Sequence, residues 1–315
     1  MLSRDVLPLI HEAAARVYSV VKETPLVPIP GQAGAAFAKL EQLQTTGSFK
    51  LRGATNKLMS LSKEAATAGV ITSSTGNHGL GVATAAKLLG IDAEVFLSAQ
   101  VTELKREKIR ERGARVRIVA ADPLAAEVAA RAAAIDSGRT YISPYNDPHV
   151  VAGQGTIGVE LMRQLPDLDA LFIATGGGGL LSGIGSYLKV AAPNAHIIGC
   201  WPENSAVLYE CVKAGRIFEA PETTTLSEST AGGVEENSIT FDLCREVMHH
   251  AVLVTEDEIL AAMRWGHAQG WSMEGASGVA LAAYFKEAER YAGKKVVVLI
   301  CGGNPSPAIA ALLER

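Results

Sequence analysis

The sequence predicts an α/β protein built on parallel strands, and two observations carry that reading. Strand-like and helix-like segments alternate along most of the chain, and the strand candidates are near-continuous apolar runs, as in Ala170–Ala174 and Val296–Ile300. Runs of that kind suit strands covered by helices on both faces. With 315 residues, 48% of them hydrophobic, the chain can bury a large core, and its length suggests about two domains.

The elements follow in order. Met1 to Val21 mixes Arg4, Asp5, His11, Glu12 and Arg16 with apolar residues, which makes an amphipathic helix and excludes a signal peptide. Glu23 to Pro28 is a proline-punctuated extended entry, Gly31–Gly34 a turn, and Ala35–Glu41 a strand. Gly47-Ser48 is read as turn and N-cap, with Lys50 in the first helical turn and helix-compatible sequence from Ala54 to Leu61. Strands are expected at Val70–Ser73, Ala93–Leu97, Arg115–Val119 and Thr140–Ser143, with helices at Gly79–Leu89, Thr102–Arg112 and Pro123–Ile135 between them. Helix Gly158–Gln164, strand Ala170–Ala174, helix Leu180–Val190 and strand His196–Cys200 come next. The polar stretch Glu219–Ser238 is the longest loop candidate. Helices at Ile259–His267 and Gly278–Ala292, strand Lys295–Ile300 and a last helix to Arg315 complete the chain.

Bulk properties exclude several classes. A net charge of −4 without a basic run gives no electrostatic case for nucleic acid or an anionic membrane surface. No window of 18 uncharged apolar residues is present, so no membrane-spanning helix is expected. Cys200, Cys211, Cys244 and Cys301 form no CxxC or Cys/His ligand pattern, which argues against a disulfide framework or zinc site and fits a reducing cytoplasm.

Five segments carry chemistry. Lys50, at the positive end of a helix, would lose some affinity for its proton and free an amine for Schiff-base formation. Ser74-Thr75-Gly76-Asn77-His78 lies between a strand and a helix, where converging N–H groups suit a carboxylate. Gly176-Gly177-Gly178-Gly179-Leu180 removes four consecutive Cβ atoms, so that backbone can wrap a phosphate. A dinucleotide is the rival ligand, with Glu203 placed after the next strand, but GxGxxG fails because the third position falls on Leu181 or Ser182. Cys301-Gly302-Gly303-Asn304 closes the last strand, and Trp271–Ala276 with Glu274 is read as a wall of the same site. A Schiff-base lysine, a phosphate cradle and a carboxylate cradle together make a set of parts for pyridoxal phosphate acting on amino acids.

Here the chain resembles fold-type II pyridoxal-phosphate enzymes of the threonine/serine dehydratase and serine racemase family. The matching motifs are Gly47–Ala54, Ser74–Gly79, Ala152–Gly158, the glycine run and Cys301–Asn304, in the family's order over essentially the whole chain. The resemblance implies a tryptophan-synthase-β-like fold of two three-layer α/β domains, with residues 69–146 as a small domain inserted between 1–68 and 147–315. The cofactor would lie between them. It implies that Lys50 holds the cofactor aldehyde and moves the Cα proton, that Phe49 packs by the ring, and that Asn77 bonds its 3′-oxygen. Gly176 to Gly179 with Leu180 would take the phosphate, Cys301 would face the ring nitrogen, and Ser74 to His78 would take the substrate carboxylate. A homodimer acting on a small amino acid in the cytoplasm is implied as well.

Departures from the family pattern shape the expected activity. Cys301 stands where serine is frequent; both are neutral partners, which favours β-elimination. Thr75 stands where the racemases carry a serine, keeping the hydroxyl as opposite-face acid/base but adding a methyl group. The segment linked to a divalent cation in some members reads Ser227-Glu228-Ser229, leaving Glu228 as the one metal candidate. Gly275 replaces a frequent proline, read as widening the pocket for a bulkier β-substituent such as phenyl or carboxylate. The chain ends near the catalytic core, so no regulatory domain and no feedback inhibition are expected. The expected reaction is dehydration of a β-hydroxy-α-amino acid such as L-threonine or L-serine to a 2-oxo acid and ammonia. Specificity for phenylserine or 3-hydroxyaspartate, a racemase, and a non-catalytic cofactor-binding protein are the alternatives.

Overall fold

The computed structural model describes residues 1–31, 35–99, 101–119 and 123–314. The expected Gly31–Gly34 turn falls mostly outside these residues, as does Arg315. In chain order the elements are α1 (Ser3–Arg16), β1 (Leu26–Pro28), β2 (Ala36–Leu40), α2 (Lys50–Met59), α3 (Lys63–Ala68), β3 (Val70–Ser73), α4 (Asn77–Leu89), β4 (Ala93–Ser98), α5 (Glu103–Glu111), β5 (Arg115–Val119), α6 (Pro123–Ser137), β6 (Thr140–Tyr141) and α7 (Pro148–Gln164). There follow β7 (Ala170–Ala174), α8 (Gly179–Ala191), β8 (His196–Pro202), α9 (Val207–Ala214), α10 (Ile239–Val247), β9 (His250–Val254), α11 (Glu256–Ala268), α12 (Gly275–Glu287), β10 (Val296–Ile300) and α13 (Pro307–Leu313).

Two sheets organise them. The larger has the order β1-β2-β10-β7-β8-β9, parallel except for β1, which pairs antiparallel with β2. The smaller, β5-β4-β3-β6, is wholly parallel and is built from residues 70–141. Strands β7 and β10 are buried at every position, which is why their sequences read as unbroken apolar runs.

Several expectations need correction. Helix α2 begins at Lys50, which places that lysine in the first helical turn as expected, but Ser48 does not cap it: Phe49 occupies the N-cap position without a side-chain bond. Ser48 instead bridges to Gly302, and Phe49 N–H donates to Cys301 O at 3.0 Å, so the lysine loop is bonded to the end of β10. Gly47 does turn the chain, at φ +75°.

Helix α7 starts at Pro148, ten residues before the expected Gly158, capped by Asp147, whose carboxylate accepts from the N–H groups of His149 and Val150. Its glycines mark contact and not a break. A Cβ on Gly153 would come within 2.6 Å of Arg52 O, and one on Gly183 of α8 within 2.2 Å of Val151 O. Glycine therefore lets α2, α7 and α8 pack backbone against backbone. Elements α3, α9, α10 and β9 lie where no helix or strand was expected.

Candidate active site

The site collects the C-terminal ends of four strands, where open parallel sheets leave their crevice. Lys50 follows β2, Ser74–His78 follow β3, the glycine run follows β7 and Cys301 follows β10. Two adjoining cavities meet there. The smaller, about 180 Å³, is lined by Phe49, Lys50, Tyr145, Gly176–Leu180 and Cys301 among others. The larger, about 1150 Å³, is lined by Lys50, Ser74–His78, Glu228 and part of α5. Lys50, Asn77, Pro144, Ser229 and Glu274 border both. Every site residue inferred from the sequence therefore borders one cavity or the other.

Among the described residues Lys50 makes one side-chain hydrogen bond, Nζ donating to Pro144 O at 2.9 Å, with the Phe49 ring 5.2 Å away. Its pKa falls from the usual lysine value to about 8. Burial is the main cause, opposed by Cys301 and Glu274. The shift expected from a helix end is thus achieved chiefly by desolvation.

The glycine run forms a cradle. Gly178 lies in the left-handed region at φ +84°, and α8 starts directly after it. Among the described residues, the N–H groups from Gly176 to Leu181 have no acceptor. Side chains here are excluded by close neighbours: a Cβ on Gly177 would lie 2.5 Å from the Tyr145 ring, and one on Gly176 2.8 Å from Thr230 O. Unpaired amides at a helix N-terminus beside a buried amine fit the phosphate and aldehyde of pyridoxal phosphate. Cys301, its thiol pushed up to about 12 by burial, remains neutral, with Ser277 Oγ at 3.8 Å from its sulfur.

Asn77 is engaged on all sides. Its Nδ2 donates to both oxygens of Glu274 at 2.9 and 2.8 Å, and its Oδ1 accepts from Asn304 Nδ2 at 2.7 Å. Glu274 also accepts from Ser229 Oγ, and burial raises its pKa. Sequence reading placed Glu274 in the wall but not as the partner of Asn77, because residues so far apart in the chain carry no shared local pattern. The same holds for Tyr145 and Ser277, and for Ser229, whose segment was tied to a metal and not to Glu274. His78 is buried with Nε2 donating to Ile142 O at 3.0 Å, and burial, then Lys50, lowers its pKa to about 3, so it is neutral. Thr75 is half-buried, and its hydroxyl has no partner among the described residues.

Gly275 does not widen the cavity. A Cβ there would meet Leu226 O at 1.9 Å, so glycine admits the 226–229 backbone against α12. Glu228 accepts from Ser306 Oγ, and no group of three potential metal-ligating side chains is found among the described residues.

A lysine-bearing cleft between two α/β sheets, with an anion cradle on one side and a small polar loop on the other, defines an enzyme built around a phosphorylated aldehyde cofactor. The chain belongs to the pyridoxal-phosphate dependent enzyme family, whose model matches residues 17–302. It is 36% identical over 302 residues to an L-threonine ammonia-lyase of Thermotoga maritima, covering 96% of this chain and 73% of that protein. Its fold superposes on the processed form of threonine deaminase isoform 2 from Solanum lycopersicum with a TM-score of 0.93 at 32% identity, covering 99% of this chain and 93% of the other. Maize serine racemase superposes with a TM-score of 0.89 at 27% identity, covering 97% and 95%.

Proposed function

We propose that the protein dehydrates a β-hydroxy-α-amino acid, such as L-threonine or L-serine, to a 2-oxo acid and ammonia. The observation that carries this is the half-buried Lys50, its amine bonded once among the described residues, at the junction of the glycine cradle and the Ser74–His78 loop. Pyridoxal phosphate, when bound, supplies the electron sink that makes the Cα proton acidic.

The chain's own groups do the rest. The amides of Gly176–Leu180 would hold the phosphate, Phe49 would pack by the ring and Cys301 would face its nitrogen. A neutral thiol there would offer the ring nitrogen no counter-charge, which would favour loss of a β-substituent. Ser74, Thr75, Gly76, Asn77 and His78 receive the substrate carboxylate; His78, being neutral, serves as a hydrogen-bonding group and not as a charge. Lys50 removes the Cα proton, aided by its depressed pKa. For Asn77 to reach the cofactor, its amide must exchange Glu274 for the new partner. Thr75 is the hydroxyl that could serve the opposite face. The same reading takes residues 69–146 as a small domain, the chain as a homodimer, and Glu228 alone as insufficient for a divalent cation.

The test is 2-oxo acid release by purified protein with pyridoxal phosphate, across L-threonine, L-serine and threo-phenylserine, with racemisation followed in parallel. Release from one or more of them, abolished in Lys50→Ala along with the absorbance of covalently held cofactor, supports the assignment. Loss of chirality without 2-oxo acid would replace it with a racemase; turnover surviving in Lys50→Ala would remove the lysine from its role.

A further inference from the structure

The larger cavity extends well past the loop that takes the substrate carboxylate. Its far wall is helix α5 and the residue after it, through Thr102, Leu104, Lys105, Lys108, Glu111 and Arg112. The charges of this helix are sorted. Arg106 and Arg110 pair with Glu103, at 3.2 and 2.6 Å, and Arg110 also pairs with Glu107. None of those four residues borders the cavity. Lys105, Lys108 and Arg112 do border it, and among the described residues they have no acidic partner.

Their spacing of three and then four residues puts the three cations on one helical face. Like charges so spaced repel and weaken a helix. A helix C-terminus attracts cations, which accounts for the sign of Lys108 and Arg112. It does not account for Lys105, nor for all three lining the cavity while their neighbours pair outside it. The other charges bordering this cavity are Lys50, Glu111, which is exposed and without a side-chain partner among the described residues, Glu228, which accepts from Ser306, and Glu274, which is occupied by Asn77 and Ser229. This wall therefore keeps an excess of positive charge facing the cavity. Threonine offers that wall only a methyl group.

We infer that the preferred substrate is a β-hydroxy-α-amino acid whose β-carbon carries a second anionic group, held by Lys105, Lys108 and Arg112. This rests on the dehydratase reading above, and it replaces the rejected argument from Gly275 with a charged wall. With 3-hydroxyaspartate the balance is simple. The Cα–H and Cβ–O bonds break, a Cα=Cβ bond forms and water leaves. The enamine then tautomerises and takes up water, giving ammonia and a 2-oxo dicarboxylic acid, with no redox partner.

The test compares kcat/KM of the holoenzyme for threo- and erythro-3-hydroxyaspartate with that for L-threonine, at low and high salt, and adds calorimetric titration with succinate. The expected result is a preference of about tenfold or more for one hydroxyaspartate, carried by KM and eroded by salt. The Lys108→Ala/Arg112→Ala double variant should lose that preference and succinate binding, whereas Arg110→Ala, on the paired outer face, should keep both. Equal or better use of threonine by the unaltered enzyme, or a preference that survives in the double variant, overturns the inference while leaving the dehydratase reading intact. If no substrate turns over, the dehydratase reading fails. Succinate binding that is lost in the double variant would then still support the anion site, and its absence would overturn that too.

Discussion

Two lysines of this chain lie eleven residues apart in sequence, Lys39 fully buried and Lys50 half-buried at the site, and they are treated in opposite ways. Lys39, on β2, donates to Thr24 O at 2.7 Å, Glu160 Oε2 at 2.5 Å and Gln164 Oε1 at 3.0 Å, which uses all three of its protons. Glu160 in turn accepts from Arg52 Nη1 at 2.6 Å, and Arg52 also pairs with Glu41. Lys50, at the start of the helix that carries Arg52, has one carbonyl and no carboxylate within pairing distance among the described residues. Burial pulls both ammonium groups below the ordinary lysine value, but at Lys39 the adjacent Glu160 pulls back. Completeness of pairing, more than burial, separates the lysine that holds the fold from the one left free to react.

The contrast is sharpest if it is broken on the structural side. Glu160→Ala would strip Lys39 and Arg52 of their shared partner while leaving both cations inside. Such losses cost about 3–5 kcal/mol. Urea denaturation should show a midpoint lowered accordingly, or no folded protein at all. A loss below about 1 kcal/mol would mean that water or a rearranged Glu41 rescues the pair, and that Lys39 is no better satisfied than Lys50.

Lys50 should behave in the reverse manner. Its folded pKa of about 8 lies below the usual lysine value, so the charged form is penalised in the native state. That penalty is complete below pH 8, shrinks as pH rises towards the unfolded value and is gone above it. Lys50→Met should therefore stabilise the cofactor-free protein by about 2 kcal/mol at pH 7, after allowing for the Pro144 carbonyl left unpaired. Thermal unfolding of the cofactor-free pair at pH 7 and pH 10 checks it: the gain should be present at the first and nearly absent at the second. A destabilised variant at pH 7 would show that Lys50 is structurally satisfied after all.

Much of this was legible in the sequence where one local pattern reports one local cause. The unbroken apolar strands β7 and β10 and the glycine cradle fall there, because burial on both faces and removal of Cβ atoms are written residue by residue. The helix expected from Gly158 begins at Pro148, and the glycine at 153 does not interrupt it but permits contact with Arg52 O across the fold. Gly275 failed in the same way: a missing side chain looks like space until Leu226 O is found in it. Edge strand β9, which opens on His250, carries only a partly buried pattern and gave too weak a signal. Glu274 as partner of Asn77, and the unpaired face of α5, are products of tertiary placement that no single stretch encodes.

The smallest of the expected effects concerns proton occupancy at Lys50. Cofactor capture requires the neutral amine, because only a free lone pair attacks the aldehyde. With a pKa of about 8, the neutral fraction rises roughly tenfold between pH 6 and 7 and flattens above pH 8. An exposed lysine would keep gaining up to its ordinary value near 10.4. The second-order rate of cofactor uptake by cofactor-free protein, followed by absorbance from pH 6 to 10, should therefore bend near 8. His78 does not confuse the reading, because its pKa of about 3 keeps it neutral across the whole range. A bend near 10 would place Lys50 in water and erase its difference from a surface lysine. A bend near 8 would tie the missing partners of Lys50 directly to the readiness of its amine.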